Sequence, residues 1–234
     1  MRRLVTRAVA AILVMSTAQW PRKDSVTTTQ DARSLRYLAL GDSYTIGEGV
    51  AAHERWPTLL ARALEKSGFA LVEVQIVART GWTTSDLNDA IDDAGPEGPF
   101  DVVSLLIGSN NQFREHYIGE YRMEFVGLLD RAIGFASGDP SRVIVVSIPD
   151  WGVTPFGASY EPEKVAAEID AFNAVGEEAA ERAGANWVDV TAISRRTDPG
   201  LVGDKLHPSG VQYEVWVEVI LPVALTALGA DDVH

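Results

Sequence analysis

Four short segments of this sequence hold side chains that could do chemistry together. They supply a serine hydroxyl, a glycine amide, an asparagine carboxamide, and an aspartate three residues before a histidine. The segments are Gly41-Asp42-Ser43-Tyr44-Thr45, Arg79-Thr80-Gly81-Trp82, Gly108-Ser109-Asn110-Asn111 and Asp204-Lys205-Leu206-His207-Pro208. Together they contain what acyl transfer to a serine hydroxyl requires.

Each group has a physical reason to be in such a set. A serine hydroxyl is a poor nucleophile at neutral pH until a base removes its proton, and imidazole, with an ordinary pKa of about 6.5, suits that task. A carboxylate can fix the imidazole tautomer and stabilise the imidazolium that forms. Amide and carboxamide N–H groups can bind an oxyanion as it develops.

The composition excludes several other kinds of chemistry. The chain has 234 residues and no cysteine, so a cysteine nucleophile, a disulfide scaffold and a cysteine-built zinc or iron–sulfur site are impossible. With 33 acidic and 20 basic residues the net charge is −13, which argues against nucleic acid or an anionic membrane surface as partner. No histidine pair has zinc spacing, and no lysine loop is suited to phosphate. We therefore expect no metal and no cofactor.

The residues from 34 onward alternate between short apolar runs and helical patterns. This alternation predicts an α/β domain with a parallel sheet. Ligands of open α/β sheets bind beyond the carboxyl ends of the strands, so the four polar segments are expected to meet at one sheet edge. The predicted strands are Leu35–Leu40, Ala70–Ala78, Asp101–Ile107, Arg142–Ile148 and Asn186–Val190.

Amphipathic stretches with start and stop signals predict the helices between these strands. The last helix contains Pro222, which predicts a bend or an interruption there. The predicted helices are Glu54–Ser67, 84–94, 112–136, Pro162–Ala183 and Ser209–Leu228.

The N-terminus has the layout of a secretory signal peptide. Three arginines precede the apolar run Ala8–Met15, and Ser16 and Ala18 could form a cleavage site. We expect residues 1–18 to direct export to the periplasm or the exterior, 19–33 to be a polar linker, and 34–234 to be the functional domain. A packed N-terminal helix, or a true start at Met15, are the alternatives, and the protein would then be cytoplasmic. No other stretch approaches the length of a membrane span.

The four segments, in this order and spacing, resemble those of the SGNH hydrolases, also called the GDSL esterase/lipase family. The matching residues are Gly41-Asp42-Ser43, Gly81, Gly108-x-Asn110 and Asp204-x-x-His207, and the resemblance extends over about Leu35–Leu228. It implies a flavodoxin-like, three-layer α/β/α fold with a five-stranded parallel sheet.

The resemblance also implies an activity, that of a serine esterase acting on a small-molecule ester through an acyl-serine intermediate. Ser43, His207 and Asp204 would form the catalytic triad. The oxyanion hole would consist of the backbone N–H of Ser43, the backbone N–H of Gly81 and the side-chain amide of Asn110.

One residue departs from the family pattern. The third segment usually reads Gly-x-Asn-Asp, and this chain has Asn111 in place of the aspartate. Tyr44, Trp82 and Asn111 lie beside the predicted catalytic residues and are candidates for the substrate pocket. The acyl length, the alcohol and the oligomeric state do not follow from the sequence.

Two other functions remain open at this stage. The Asn111 departure is compatible with a non-catalytic carbohydrate- or partner-binding module on the same fold. The glycines near Gly47 and the sheet pattern are compatible with a nucleotide-binding, flavodoxin-like protein. However, Gly47 begins six residues after the strand ends, without the tight strand-to-helix turn that dinucleotide binding needs.

Overall fold

Five parallel strands form the central sheet, as the apolar runs predict. The computed structural model describes residues 34–196 and 200–230, and the predicted signal peptide (1–18) and linker (19–33) lie outside them. The strand order is β2-β1-β3-β4-β5, and every neighbouring pair is parallel. The strands are β1 (Ser34–Gly41), β2 (Ala70–Ala78), β3 (Val102–Leu106), β4 (Val143–Val146) and β5 (Asn186–Val188).

Helices cover both faces of this sheet. The described helices are α1 (Ser43–Ile46), α2 (Trp56–Lys66), α3 (Thr84–Ala94), α4 (Ser109–Phe113), α5 (Ile118–Phe135), α6 (Pro162–Ala183), α7 (Thr191–Ser194) and α8 (Gly210–Ala227). Helix α2 packs against α8, whereas α5 packs against both α3 and α6. These two groups with the sheet between them make the three-layer α/β/α fold, and the fold prediction is confirmed.

The central strands read as continuous apolar runs because both of their faces are covered. All residues of β3 and β4 are buried. In β1, Leu38 and Leu40 are fully buried. Truncating such a leucine to alanine typically lowers the free energy of unfolding by about 2–5 kcal/mol. The buried side chains of these strands therefore stabilise the sheet from which the polar segments extend.

The predicted helix over 112–136 is in fact two helices, α4 and α5. The backbone at Glu115 has a φ of 56°, which no right-handed helix can contain. The turn is closed by a 2.9 Å hydrogen bond from the His116 N–H to the Asn111 carbonyl. No glycine or proline stands at this break, so the sequence carries no ordinary stop signal for it.

The last helix continues through Pro222 and is not interrupted there. Proline cannot donate to the carbonyl four residues earlier, that of Glu218. Both Glu218 and Pro222 are exposed, so water can satisfy the freed carbonyl. No helix within residues 34–196 and 200–230 is long and apolar enough to cross a membrane.

The strand order creates the crevice in which the polar segments meet. The chain moves from β1 outward to β2 and then returns to β3 on the other side of β1. Neighbouring connections therefore leave the sheet in opposite directions beyond the carboxyl ends of β1 and β3. The segments that begin at Gly41 and Gly108 follow these two strands.

Candidate active site

A tight turn at the end of β1 presents Ser43. A Cβ on Gly41 would lie 2.5 Å from the Leu106 carbonyl oxygen, so the close approach of β1 and β3 requires glycine. The next residue, Asp42, caps α1 by accepting a 3.0 Å hydrogen bond from the Tyr44 N–H. Ser43 is thus the first residue of α1, where the N–H has no partner inside the helix.

Asp42 is fully buried directly beside Ser43. Burial raises the pKa of its carboxyl to about 7, against the opposing effect of the Tyr44 N–H hydrogen bond. Its second oxygen, Oδ2, has no protein partner. Asp42 therefore serves as a helix cap that retains its proton more readily than an exposed aspartate.

The segment Asp204–His207 folds around the carboxylate of its first residue. Asp204 Oδ1 accepts the backbone N–H of Leu206 at 2.9 Å and that of His207 at 3.0 Å. Asp204 Oδ2 lies 2.6 Å from His207 Nδ1. Burial alone would raise the pKa of Asp204, but the hydrogen bonds from His207 and Leu206 hold it below its ordinary value.

Ser43, His207 and Asp204 form one hydrogen-bonded line. His207 Nε2 is 2.9 Å from Ser43 Oγ, across 164 positions of sequence. A carboxylate can only accept, so His207 Nδ1 carries the proton toward Asp204 and Nε2 is left to accept the Ser43 hydroxyl proton. The side chains of Ser43 and His207 are both buried.

Gly81 and Asn110 belong to two further segments beside this line, and side chains from the region of α4 bond to the segment that contains Gly81. Gly81 has a φ of 87°, a conformation that favours glycine, and its carbonyl accepts a 2.6 Å hydrogen bond from Arg114 Nη2. The Asn110 amide nitrogen donates to the Trp82 carbonyl at 3.0 Å. An amide nitrogen carries two protons, so one N–H of Asn110 remains for another acceptor.

These groups border a single cavity of about 160 Å³. Ser43, Gly81, Asn110 and His207 line it. Its other walls are mainly aromatic and aliphatic: Tyr44, Phe113, Trp151, Phe156 and Leu206, with Thr80 and Ser109 beside them. A serine hydroxyl, an imidazole and amide groups therefore share one small, largely apolar space.

The three predicted pocket residues have different positions. Tyr44 lines the cavity, and its ring centroid is 5.3 Å from that of His207. Trp82 is half-buried against the core, and Asn111 is buried and bonded to Thr84. Neither Trp82 nor Asn111 is among the residues lining the cavity, so their prediction as pocket residues finds no support there.

Sequence reasoning missed several wall residues, among them Phe113 and Leu206. Phe113 lies three positions after Asn110, one turn along the same short helix, and that spacing was the available signal. Leu206 lies between Asp204 and His207 in the loop. Trp151 and Phe156 belong to a loop between β4 and α6 whose shape no periodicity describes.

A metal centre has no candidate ligands in the described part of the chain. No group of three or more histidine, aspartate or glutamate side chains there could hold a metal ion.

A three-layer α/β/α fold with a serine, a histidine and an aspartate bonded in line beyond its parallel strands defines a class of α/β protein shared by many hydrolases. The chain belongs to the GDSL-like lipase/acylhydrolase family, whose sequence model matches residues 39–215. The family resemblance of the four segments is thereby confirmed, and the chain is a member of a hydrolase family.

Several solved structures share the fold. TesA superposes with a TM-score of 0.66 at 17% identity, over 82% of this chain and 99% of TesA. The psychrotrophic esterase EstA from Pseudoalteromonas sp. gives 0.62 at 16% identity, over 83% and 98%. Phospholipase A1 from Streptomyces albidoflavus NA297 gives 0.56 at 20% identity, over 82% and 99%. No curated protein sequence matches the chain.

Proposed function

We propose that this protein is a serine esterase that hydrolyses carboxylic esters through an acyl-serine intermediate. The observation that carries the proposal is the hydrogen-bonded line in the cavity, with 2.9 Å from Ser43 Oγ to His207 Nε2 and 2.6 Å from His207 Nδ1 to Asp204 Oδ2. The first distance is short enough for direct proton transfer from Ser43 to His207, and the second is short enough for Asp204 to orient the imidazole.

Acylation begins when Ser43 Oγ attacks the acyl carbon of the ester. His207 Nε2 takes the hydroxyl proton, and Asp204 stabilises the resulting imidazolium across the Nδ1 hydrogen bond. The carbonyl bond opens to an oxyanion. When the tetrahedral intermediate collapses, the alcohol oxygen leaves with the proton from His207, and the acyl group remains on Ser43.

The oxyanion needs donors that are already in place before the reaction. We assign this role to the backbone N–H groups of Ser43 and Gly81 and to the side-chain amide of Asn110. Gly81 and Asn110 line the same cavity as Ser43. Gly81 accepts a hydrogen bond from Arg114, and Asn110 donates one to the Trp82 carbonyl. These two bonds limit how far either donor can turn away from the cavity.

Deacylation repeats the same steps with water. His207 Nε2 removes a proton from the water, and the hydroxide equivalent attacks the acyl carbon. His207 then returns the proton to Ser43 Oγ as the acyl–oxygen bond breaks. The products are the carboxylic acid and the free enzyme, and no cofactor or metal enters the balance.

The cavity size favours short acyl groups. A cavity of about 150 Å³ in another protein accommodates benzene, which has roughly six heavy atoms. The cavity of this protein measures about 160 Å³ and must also hold the reacting carbonyl and ester oxygen. We therefore propose acetyl to about butyryl esters as preferred substrates. The apolar walls Phe113, Trp151 and Phe156 would contact such a chain.

The position of Asn111 weakens the alternative of a non-catalytic binding module. Its side chain bonds to Thr84 and does not line the cavity. Its departure from the family pattern leaves Ser43, His207 and Asp204 in contact with one another.

The direct test is hydrolysis of p-nitrophenyl esters from acetyl to palmitoyl by the wild type and by Ser43→Ala. We expect turnover of the short esters by the wild type and almost none by the variant. Two esterases, a phospholipase and a lipase among the structural neighbours are named for ester cleavage, which supports the proposal. Wild-type rates in Ser43→Ala would contradict it.

A further inference from the structure

Asn111, the residue that departs from the family pattern, makes two hydrogen bonds to one residue. The backbone N–H of Thr84 donates to Asn111 Oδ1 at 3.0 Å. Asn111 Nδ2 lies 2.6 Å from Thr84 Oγ1. Both side chains are fully buried, with no exposed surface. Thr84 is the first residue of α3, where a helix leaves N–H groups in need of acceptors.

The directions of these bonds follow from donor chemistry alone. A backbone N–H can only donate, so the oxygen of the Asn111 amide must face it and the nitrogen must face the Thr84 hydroxyl. That hydroxyl therefore accepts from Asn111, and its own single proton has to go elsewhere. The structure directs it to Glu124 Oε2, a half-buried carboxylate on α5.

We propose that Glu124 is a positioning residue that this chain needs because it has Asn111 in place of the aspartate. Asn111, Thr84 and Glu124 form one chain of hydrogen bonds, which we call the Asn111–Glu124 relay. The relay joins α4, the start of α3 and α5. It holds the loop that carries Gly81 against the helix that carries Asn110.

An aspartate at position 111 would reverse the direction of the hydrogen bond between residue 111 and the Thr84 hydroxyl. A carboxylate there could accept both from the Thr84 N–H and from the Thr84 hydroxyl. Glu124 would then receive no proton from Thr84, and two carboxylates would flank one hydroxyl group. Like charges near a low-dielectric interior repel, so an ionised aspartate at 111 would be destabilised by an ionised Glu124. A glutamine at 124 could donate its amide N–H to the Thr84 hydroxyl, which would then donate to the aspartate at 111. Every group in the relay would again have a partner, with the hydrogen bonds running in the opposite direction.

The relay predicts a specific rescue. Asn111→Asp should lower both the urea midpoint of unfolding and kcat, the latter by about ten- to hundredfold because the two halves of the oxyanion hole shift relative to each other. Glu124→Gln alone should have little effect, since its amide oxygen can still accept from Thr84. The double variant should recover most of the lost kcat and stability.

Two control variants separate the relay from simpler explanations. Asn111→Asp with Glu124→Ala removes the charge repulsion but supplies no donor, so it should recover less than the double variant with glutamine. Arg131→Ala breaks another contact between α5 and α3, the 3.0 Å hydrogen bond from Arg131 Nη1 to the Asn88 carbonyl. It should lower stability and leave kcat unchanged.

Every outcome of these experiments either supports the Asn111–Glu124 relay or overturns it. If Asn111→Asp does not fold alone, the double variant is still expected to fold. The proposal is overturned if Asn111→Asp equals the wild type, or if Glu124→Gln brings no recovery of midpoint and kcat. The kcat part rests on the proposed esterase function, whereas the recovery of the unfolding midpoint is measured without turnover and tests the relay independently.

Discussion

The two carboxylate oxygens of Asp204 have separate tasks. Oδ1 binds the backbone N–H groups of Leu206 and His207, which shapes the loop, and Oδ2 binds the imidazole. The hydrogen bonds that hold its pKa low also keep it ionised at neutral pH. An uncharged replacement can therefore retain the loop and still lose the support of the imidazolium.

Asp204→Asn tests this separation. The new amide oxygen can still accept the backbone N–H groups, but the amide nitrogen favours the wrong tautomer of His207. We expect kcat to fall on the order of 10³–10⁴-fold with little change in the thermal midpoint. Asp204→Ala, which also removes the loop acceptor, should lower the midpoint as well. Equal midpoints for the two variants would contradict the separate roles.

Asp42 should make stability depend on pH. Its pKa is raised to about 7 by burial, whereas an aspartate in an unfolded chain has a pKa of about 3.9. The folded protein thus holds a proton that the unfolded chain releases. The stability from this carboxyl is complete below about pH 4 and is lost as pH rises through 7, by roughly 1.4 kcal/mol per pH unit at most.

Asp42→Asn removes that dependence while keeping an acceptor for the Tyr44 N–H. Urea unfolding between pH 4 and 8 should show the wild type losing stability relative to the variant as pH rises. Parallel curves for the two proteins would rule out the raised pKa.

At the scale of single residues, the residue types supplied the chemical groups, and the family resemblance of the four segments predicted Ser43, Asp204 and His207 as a set. The role of Glu124 was not accessible, because it depends on the direction of hydrogen bonds that only the packed structure defines. Asn111 illustrates the same limit: its position beside Asn110 suggested the substrate pocket, yet its side chain turns toward Thr84.

Among the elements, the short helix α4 connects the segments of Gly81 and Asn110, which we propose as parts of the oxyanion hole. Its residue Asn110 bonds the Trp82 carbonyl, and Arg114, at its end, bonds the Gly81 carbonyl. Arg114 also lies 3.7 Å from Asp86 of α3. The loop after β2 is therefore bonded to the region of α4 at two consecutive carbonyls, those of Gly81 and Trp82.

Arg114→Ala should release this loop. We expect kcat to fall about tenfold or more with little change in KM, since an unanchored Gly81 binds the oxyanion less well in the transition state. Arg122→Ala provides the control, because Arg122 forms an exposed ion pair with Glu178 that is worth little to stability. A fall in KM alone, or an equal loss in both variants, would contradict the assigned role.

Phe113, the last residue of α4, lies between two cavities. It lines the 160 Å³ cavity of Ser43 and a second cavity of about 390 Å³ bordered by Tyr160 and Glu168. Its ring centroid is 6.2 Å from that of Phe156 and 5.9 Å from that of Tyr160. In the proposed esterase, this ring would be the wall that limits the length of the acyl chain.

Phe113→Ala should connect the cavities and shift the preferred ester from butyryl toward octanoyl. The measurement is kcat/KM across the p-nitrophenyl series. Phe156→Ala is the comparison variant: Phe156 lines only the smaller of these two cavities, so its truncation does not join them and should shift the preference less than Phe113→Ala does. An unchanged profile in Phe113→Ala would remove Phe113 as the limiting wall.

The strands and long helices were predictable because each follows one period and one burial pattern. The separation of α4 from α5 was not predictable. It depends on a left-handed residue, Glu115, whose strain is tolerated by the tertiary structure around it. Phe113, the last residue of α4, lies two positions before that left-handed residue.

For the molecule as a whole, the site joins distant parts of the described region, residues 34–196 and 200–230. The line of Ser43, His207 and Asp204 is assembled from both ends of this region, across 164 positions. The parallel order of the sheet explains why the segments that follow its strands were expected to meet at one edge. The cavity volume could not be predicted, since it depends on side chains of the 151–160 loop.

A shortened chain tests the domain prediction. Residues 34–234 are expected to unfold cooperatively and to retain the kcat of the full chain on a short ester, because every proposed site residue lies within them. Thermal unfolding and turnover of both proteins are the measurements. A loss of cooperative unfolding in the shortened chain would show that residues 1–33 belong to the same domain.

Covalent labelling of the hydroxyl on which the whole mechanism depends is the most direct measurement. A fluorophosphonate probe followed by peptide mass spectrometry should place one adduct on the peptide containing Ser43. Ser109→Ala, which removes the other serine lining the cavity, should still be labelled, whereas Ser43→Ala should not. An adduct on any other residue, or no adduct on a folded wild-type protein, would contradict the account.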